Sequence, residues 1–212
     1  MNRQAMMTAV VAAMLIVNTT TARAQTSPRR GYVEGGMLAD FDPDTYAEGT
    51  HTAPAATFAA GYTFPSHWSV RVEGVLPAWH TNTVNESFSF AGRTTTDTGT
   101  EQHRLSTYSF LTGYEFSIAP RVRLTPLVGV GLSRHTDKLD LLSQMRASSG
   151  AITTQSEVSS DAEWLTAISY GADFSISVSP RLAIVPQIRF DTTPGFSAVP
   201  RFRPGVAVRV GF

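Results

Sequence analysis

The chain has 212 residues, with 17 Lys+Arg against 17 Asp+Glu, 42% hydrophobic residues and no cysteine. The neutral balance lacks the excess positive charge that drives nucleic-acid affinity, and the absence of cysteine removes disulfides, thiol catalysis, cysteine-ligated metal and a lipidated N-terminal cysteine. One domain is the default at this length.

The first element is a leader. Arg3 supplies a positive start, Ala5 to Val17 is an apolar run too short to span a bilayer as a helix, and Ala22-Arg23-Ala24 fits a small-x-small cleavage site. Residues 1–24 read as a secretory signal peptide and 25–212 as the exported domain. Asn18 and Thr19 to Thr21 break the apolar run early, which argues against an anchor helix, and the leader has no twin-arginine pair to divert the chain from general secretion.

Beyond the leader no stretch is apolar for long enough to make a transmembrane helix, yet the chain alternates with period two in runs separated by turn signals. A first strand near Gly31 to Phe41 puts Val33, Met37, Ala39 and Phe41 on its apolar side. The next runs read Ala56, Phe58, Ala60, Tyr62, Phe64; then Val70, Val72, Gly74, Leu76, Ala78; then Tyr108, Phe110, Thr112, Tyr114, Phe116. Val122 to Leu132, Trp164 to Phe174, Leu182 to Phe190 and Phe202 to Phe212 continue the pattern at every second residue. About eight strands result, each long enough at ~3.3 Å per residue and ~45° tilt to cross a ~25 Å apolar band.

The opposite face carries Glu34, Arg71, Glu73, Glu115, Arg123, Asp173, Arg189, Asp191, Arg203 and Arg209, interleaved with Gly61, Gly113, Gly129, Gly131, Gly171, Gly205 and Gly211. Alternation alone fits a soluble lipocalin-like ligand-binding barrel, apolar side inward, equally well. Lysine usage decides between them: a watered face uses lysine freely, but Lys138 is the only one, and arginine's planar fork suits enclosed carboxylates. Glycine on the same face suits a narrow interior crowded by long charged side chains. The apolar face therefore meets hydrocarbon. Aromatic residues at both strand ends agree, with Phe64, Phe116, Phe174 and Phe212 at one end and Phe41, Tyr108, Trp164, Phe190 and Phe202 at the other.

Connections alternate in length. Longer polar stretches lie near 42–54, 80–103, 137–161 and 192–200, whereas Pro65-Ser66-His67, Ala119-Pro120-Arg121 and Ser179-Pro180-Arg181 mark short turns. Gly-x-x-Phe precedes each short turn, at Gly61/Phe64, Gly113/Phe116 and Gly171/Phe174. The long stretches show no strand pattern of their own. Residues 80–103 and 143–160, rich in Ser, Thr, Gly and Asn, are expected to stay mobile outside the membrane, either to carry contacts with an extracellular partner that the sequence does not identify or merely to shield the barrel rim.

The last strand, with Val206, Val208, Val210 and terminal Phe212, resembles the C-terminal assembly signal of bacterial outer-membrane barrels, although Pro204 departs from the hydrophobic residue usual further back. With the leader and the strand number, the exported chain resembles an OmpA/OmpX-type eight-stranded outer-membrane barrel. That likeness does not extend to the peptidoglycan-binding domain OmpA itself carries. It implies an antiparallel up-and-down barrel with short periplasmic turns and longer extracellular loops, located in the bacterial outer membrane. Outer-membrane lipids, lipopolysaccharide and the barrel assembly machinery are its implied partners, and the chain is expected to be a monomer.

A barrel of this size has a lumen filled by side chains, so Glu34, Arg71, Glu73, Glu115, Arg123, Asp173, Arg189 and Arg209 are expected to form an interior ion-pair network and to block free diffusion. The reading is a non-enzymatic envelope-structural or surface-interaction protein without cofactor or metal. Its alternative is a lipid A acyl-modifying enzyme, for which Ser133, His135 and Asp137 stand at intervals of two. Neighbours at that interval are ~6.8 Å apart along a strand, too far for a direct hydrogen bond without help from another strand, and they face the lumen. His80 and His103, with His51 or His135, raise metal binding, but scattered histidines of this kind are ordinarily solvated polar residues.

Overall fold

The computed structural model describes residues 30–43, 50–194 and 197–212, and of residues 42, 43, 50, 51, 197 and 198 only the backbone. The leader at 1–24 lies outside the described residues, as do 44–49 and 195–196 within two of the expected loops.

Alternation becomes strand throughout. The elements are β1 (Gly31–Pro43), β2 (Thr50–Thr63), β3 (Trp68–Pro77), β4 (His80–Phe90), β5 (Arg93–Tyr114), β6 (Phe116–Ala119), β7 (Val122–Ala147), β8 (Ile152–Ser177), β9 (Leu182–Thr193) and β10 (Ser197–Gly211). They make eight staves, because β4 continues β3 past a break at Ala78-Trp79 and β6 continues β5 past Glu115. Every neighbouring pair is antiparallel. Pairing of β5 with β7 and of β1 with β10 closes the ring, the latter with Tyr32 opposite Gly211 and Phe41 opposite Phe202. Closure gives the backbone N–H and C=O groups of every stave a partner, a requirement of any β-structure in hydrocarbon.

The two faces are sorted opposite to a water-soluble protein. Val72, Val128, Val130 and Val206 are 60%, 54%, 63% and 51% exposed, while Arg71, Arg189 and Arg203 are 1%, 1% and 0% exposed. Such a distribution is favourable only where the outer medium is apolar. Rings cluster at both edges of this band. Near the short turns, Tyr62 lies 5.1 Å from Phe64 and Trp68 lies 5.6 Å from Tyr114; at the far edge, Tyr108 lies 6.1 Å from Trp164 and Phe190 lies 5.2 Å from Phe202. Along β8, Trp164 to Phe174 covers ~23 Å of membrane normal at ~3.3 Å per residue and ~45° tilt.

The short turns fall where the sequence places them. His67 takes the left-handed conformation at φ 67°, and its amide donates to the Phe64 carbonyl at 3.0 Å. The Ser179 hydroxyl accepts from the amides of Arg181 and Leu182 at 3.3 and 3.1 Å.

The far side differs from expectation. Residues 80–103 and 137–161 are strand rather than loop: β4 pairs with β5 from His80/His103 to Phe90/Arg93, and β7 pairs with β8 out to Arg146/Ile152. β5 also stays paired with β7 as far as Arg93/Ala147, so β4, β5, β7 and β8 rise together as one four-stranded sheet. Its β4 arm of 11 residues extends by ~35 Å at ~3.3 Å per residue. Alternation could not signal it, because water wets both faces and neither needs apolar side chains. Backbone pairing and cross-strand hydroxyl contacts hold it instead, such as Ser89 to Thr94 at 2.9 Å and Ser87 to Thr96 at 3.3 Å. Ala91 and Gly92, with φ 51° and 75°, make the tight turn at the tip of β4–β5.

Glycine on the inner face has a different cause from crowding by charged side chains. A Cβ on Gly129 would run into the backbone carbonyl of Phe110 on β5, so the strongly coiled neighbouring strand occupies its place. Gly61 is a separate case, lying under the phenol of Tyr32. Gly129→Ala is expected to lower the thermal midpoint of the folded barrel, as read from heat-dependent gel mobility. An unchanged midpoint would show that the strands can part at no cost.

Candidate functional site

Inward-facing residues on five strands converge in the lumen. Glu34 comes from β1, Arg71 and Glu73 from β3, Asp173 from β8, Arg189 from β9 and Arg209 from β10. Arg71 pairs with Asp173 at 2.6 Å, with Glu34 at 3.2 Å and with Glu73. Arg189 donates to Glu73 at 2.9 Å and to Asp173 at 2.6 Å; Arg209 reaches Glu34 at 2.8 Å and Asp173 at 2.7 Å. Three guanidiniums thus meet three carboxylates, and each planar fork binds more than one acceptor. The Gln187 amide oxygen accepts from Arg189 at 3.1 Å, and the Arg209 guanidinium lies 4.3 Å from the centre of the Tyr32 ring.

Glu115 and Arg123 stand apart from this cluster. They pair with each other at 2.9 Å near the short turns, with the Arg123 side chain 36% exposed. The expected eight-residue network is therefore one cluster of six and one separate pair.

A second buried cluster lies toward the far end. Arg203 donates to Asp40 at 2.7 Å, to Asp191, to the Thr107 hydroxyl at 3.2 Å and to the Leu105 carbonyl at 3.2 Å. Arg201 lies 3.5 Å from Asp40, and Ser109 joins through Ser169, which donates to Asp191. Sequence reasoning left Asp40, Arg201 and His80 out of the interior set. Parity was the available signal for Asp40, because it shares the even-numbered side of β1 with Glu34.

The histidines gather at the mouth. His80 and His103 stack at 5.0 Å between ring centres, and His80 Nε2 lies 3.9 Å from Asp40. The side chain of His51 is outside the described residues. Among the described residues no group of three or more His, Cys, Asp or Glu is placed to hold a metal ion.

The Ser133, His135, Asp137 row departs from its expected spacing. Although their backbones are two residues apart, the side chains lean together, and His135 Nδ1 reaches Asp137 at 3.1 Å with no help from another strand. Burial holds the His135 imidazole below its ordinary pKa, while Asp137 pulls it upward. Ser133 is fully buried and its hydroxyl bonds to Thr107 at 3.1 Å. All three occupy the luminal face, away from lipid acyl chains.

A sequence model of the family described as outer membrane protein beta-barrel domain matches residues 9–193. Among solved structures, the chain is similar to Neisserial surface protein A, with 14% identity and a TM-score of 0.52 over 86% of this chain and 97% of that one. It is also similar to Ail, the attachment invasion locus protein of Yersinia pestis, with 16% identity and a TM-score of 0.50 over 87% and 99%. No curated protein matches the chain.

Proposed function

From the premise that this chain belongs to the outer membrane protein beta-barrel family and resides in the bacterial outer membrane, we propose that it is a non-enzymatic surface-interaction protein with a closed lumen. The observation that supports this reading is the sheet of β4, β5, β7 and β8 continuing past the barrel mouth. It presents a rigid, hydrogen-bonded surface with stacked rings of Phe88 and Phe90 6.5 Å apart at its tip, both largely exposed. An envelope filler would need only the barrel. The neutral ion-pair cluster across the axis supports a lumen that does not conduct. On the hydrocarbon face of β10, Val206, Val208, Val210 and Phe212 serve as the signal read by the assembly machinery, and the folded barrel acts as a monomer.

Two measurements test this reading. The purified chain in planar bilayers is expected to give no steady ion current, and a large ohmic conductance would overturn the closed lumen. Cells displaying a variant with β4–β5 and β7–β8 shortened to tight turns at the mouth are expected to lose adherence to cultured epithelial monolayers, at equal surface amount of folded barrel. Adherence equal to that of the full chain would overturn the surface role.

A further inference from the structure

The two hairpins of the projecting sheet end at one level. Arg93 of β5 lies opposite Phe90 of β4 and Ala147 of β7, Thr95 lies opposite Phe88 and Met145, and Arg146 lies opposite Ile152 of β8. A Cβ on Gly92 would come within 3.5 Å of the Ser148 side chain, so the tips of β4–β5 and β7–β8 stand side by side. Their chemistry differs from that of the arms below. From Ser87 to Thr96, and again from Ser143 to Ser156, there is no aspartate or glutamate, and the only charged residues are Arg93 and Arg146. Both arginines are exposed, and neither has a carboxylate partner among the described residues. Phe88, Phe90, Met145 and Ile152 are exposed beside them. Acidic residues begin immediately below. Glu86 and Asp97 face each other across β4 and β5, and Glu101, Asp140 and Glu157 follow toward the barrel before the first cation, Lys138.

Large apolar side chains left in water at the end of a sheet that water wets on both faces are unfavourable unless something covers them. Aromatic and aliphatic groups beside arginine, with carboxylates excluded, are suited to the headgroup boundary of a bilayer. The barrel's own membrane does not reach them, because β4 carries the tip ~25 Å above the mouth at ~3.3 Å per residue and ~45° tilt.

We propose that the paired tips dock into the phospholipid bilayer of an apposed cell, with Phe88, Phe90, Met145 and Ile152 entering the boundary between acyl chains and headgroups and Arg93 and Arg146 drawn to anionic headgroups. The charge order along the sheet selects this occupant and sets its depth. An anionic surface attracts the two arginines and repels the carboxylates that begin at Glu86. Glu86 stands four residues below Phe90, which is ~9 Å of height at ~3.3 Å per residue and ~45° tilt. That span matches the depth of about 5–10 Å to which interfacial segments sink. The proposal rests on the surface role put forward above and names the chemistry of its partner.

The test uses the full chain refolded in phosphatidylcholine nanodiscs and mixed with sucrose-loaded vesicles of phosphatidylcholine alone or of phosphatidylcholine with phosphatidylserine. Nanodiscs that sediment with the vesicles are measured, and folding is read by heat-dependent gel mobility. Phosphatidylserine is expected to tighten binding about tenfold. Phe88→Ser with Phe90→Ser, and separately Arg93→Gln with Arg146→Gln, are each expected to weaken binding to those vesicles about tenfold. Val158→Ser, which removes a comparably exposed side chain from β8 below the tip, is expected to leave it unchanged. A measurement that needs no loss of binding is Phe90→Trp, whose added fluorescence is expected to be quenched by brominated lipid in the vesicles, whereas that of Val158→Trp is not. Absence of vesicle binding, binding that the folded tip variants leave unchanged, or an unquenched indole at the tip overturns the proposal. Cell adherence lost on shortening the arms, with no binding to vesicles, would assign the partner to protein or glycan and leave the surface role standing. Vesicle binding with adherence unaffected by the shortening would remove the surface role and leave lipid docking standing.

Discussion

Arg71→Ala is expected to destabilise the barrel by about 3–5 kcal/mol, the range for breaking a buried ion pair by removing one partner. The side chain is fully buried and contacts Glu34, Glu73 and Asp173. Without it, three carboxylates share only Arg189 and Arg209, and an uncompensated negative charge remains in a space closed to bulk water. Glu115→Ala, which parity alone places in the same class, is expected to cost about 1 kcal/mol or less, because the Arg123 side chain is 36% exposed and water replaces the lost partner. Urea unfolding of the chain refolded in lipid vesicles, followed by tryptophan fluorescence, measures both. In the double variant Arg71→Ala/Glu73→Ala the charge balance returns, so its cost is expected to be less than the sum of the two single costs. Equal losses for Arg71→Ala and Glu115→Ala would mean that the central cluster carries no special weight.

Val128→Arg is expected to cost about 2–4 kcal/mol, the penalty for a cation facing lipid near the bilayer midplane. Val128 is 54% exposed and stands between the two aromatic belts on β7, opposite Thr112 and Tyr170. On a watered surface the same change would fall within about 0.5 kcal/mol of neutral. The measurement therefore separates an outer-membrane barrel from a soluble one with the same fold. Folding yield into vesicles is expected to drop with stability, and an unaffected yield and unfolding midpoint would place water, not lipid, against this face.

Most of the fold could be read in the residue order because the pleat is a local property. Successive side chains of a strand point to opposite sides whatever the strand pairs with, so Val206, Val208 and Val210 share a face, and Glu34 and Asp40 share another, before any partner is known. Pro and Ser at the short turns act locally as well. Parity of this kind separated charged from apolar faces, and the choice of arginine over lysine pointed the charged face inward. The sheet beyond the mouth was not legible, since with water on both sides β4 and the outer halves of β5, β7 and β8 have no apolar period to display.

What only the tertiary structure decided is which charges meet. The order of residues along the chain determined that Arg71, Glu115 and Asp173 belong inside. Closure and register determined that Arg71 reaches Asp173 across the axis, 102 positions away, while Glu115 is left with Arg123 near the rim. Alternation has a period of two regardless of stagger, whereas the height of each residue around a closed ring depends on the tilt and shift of every strand before it. For the same reason Trp79, at the break between β3 and β4, gave no hint in sequence that the Arg104 guanidinium and the Lys138 ammonium both lie 4.5 Å from its ring centre. That contact exists because three separate staves end their membrane crossing at a common level.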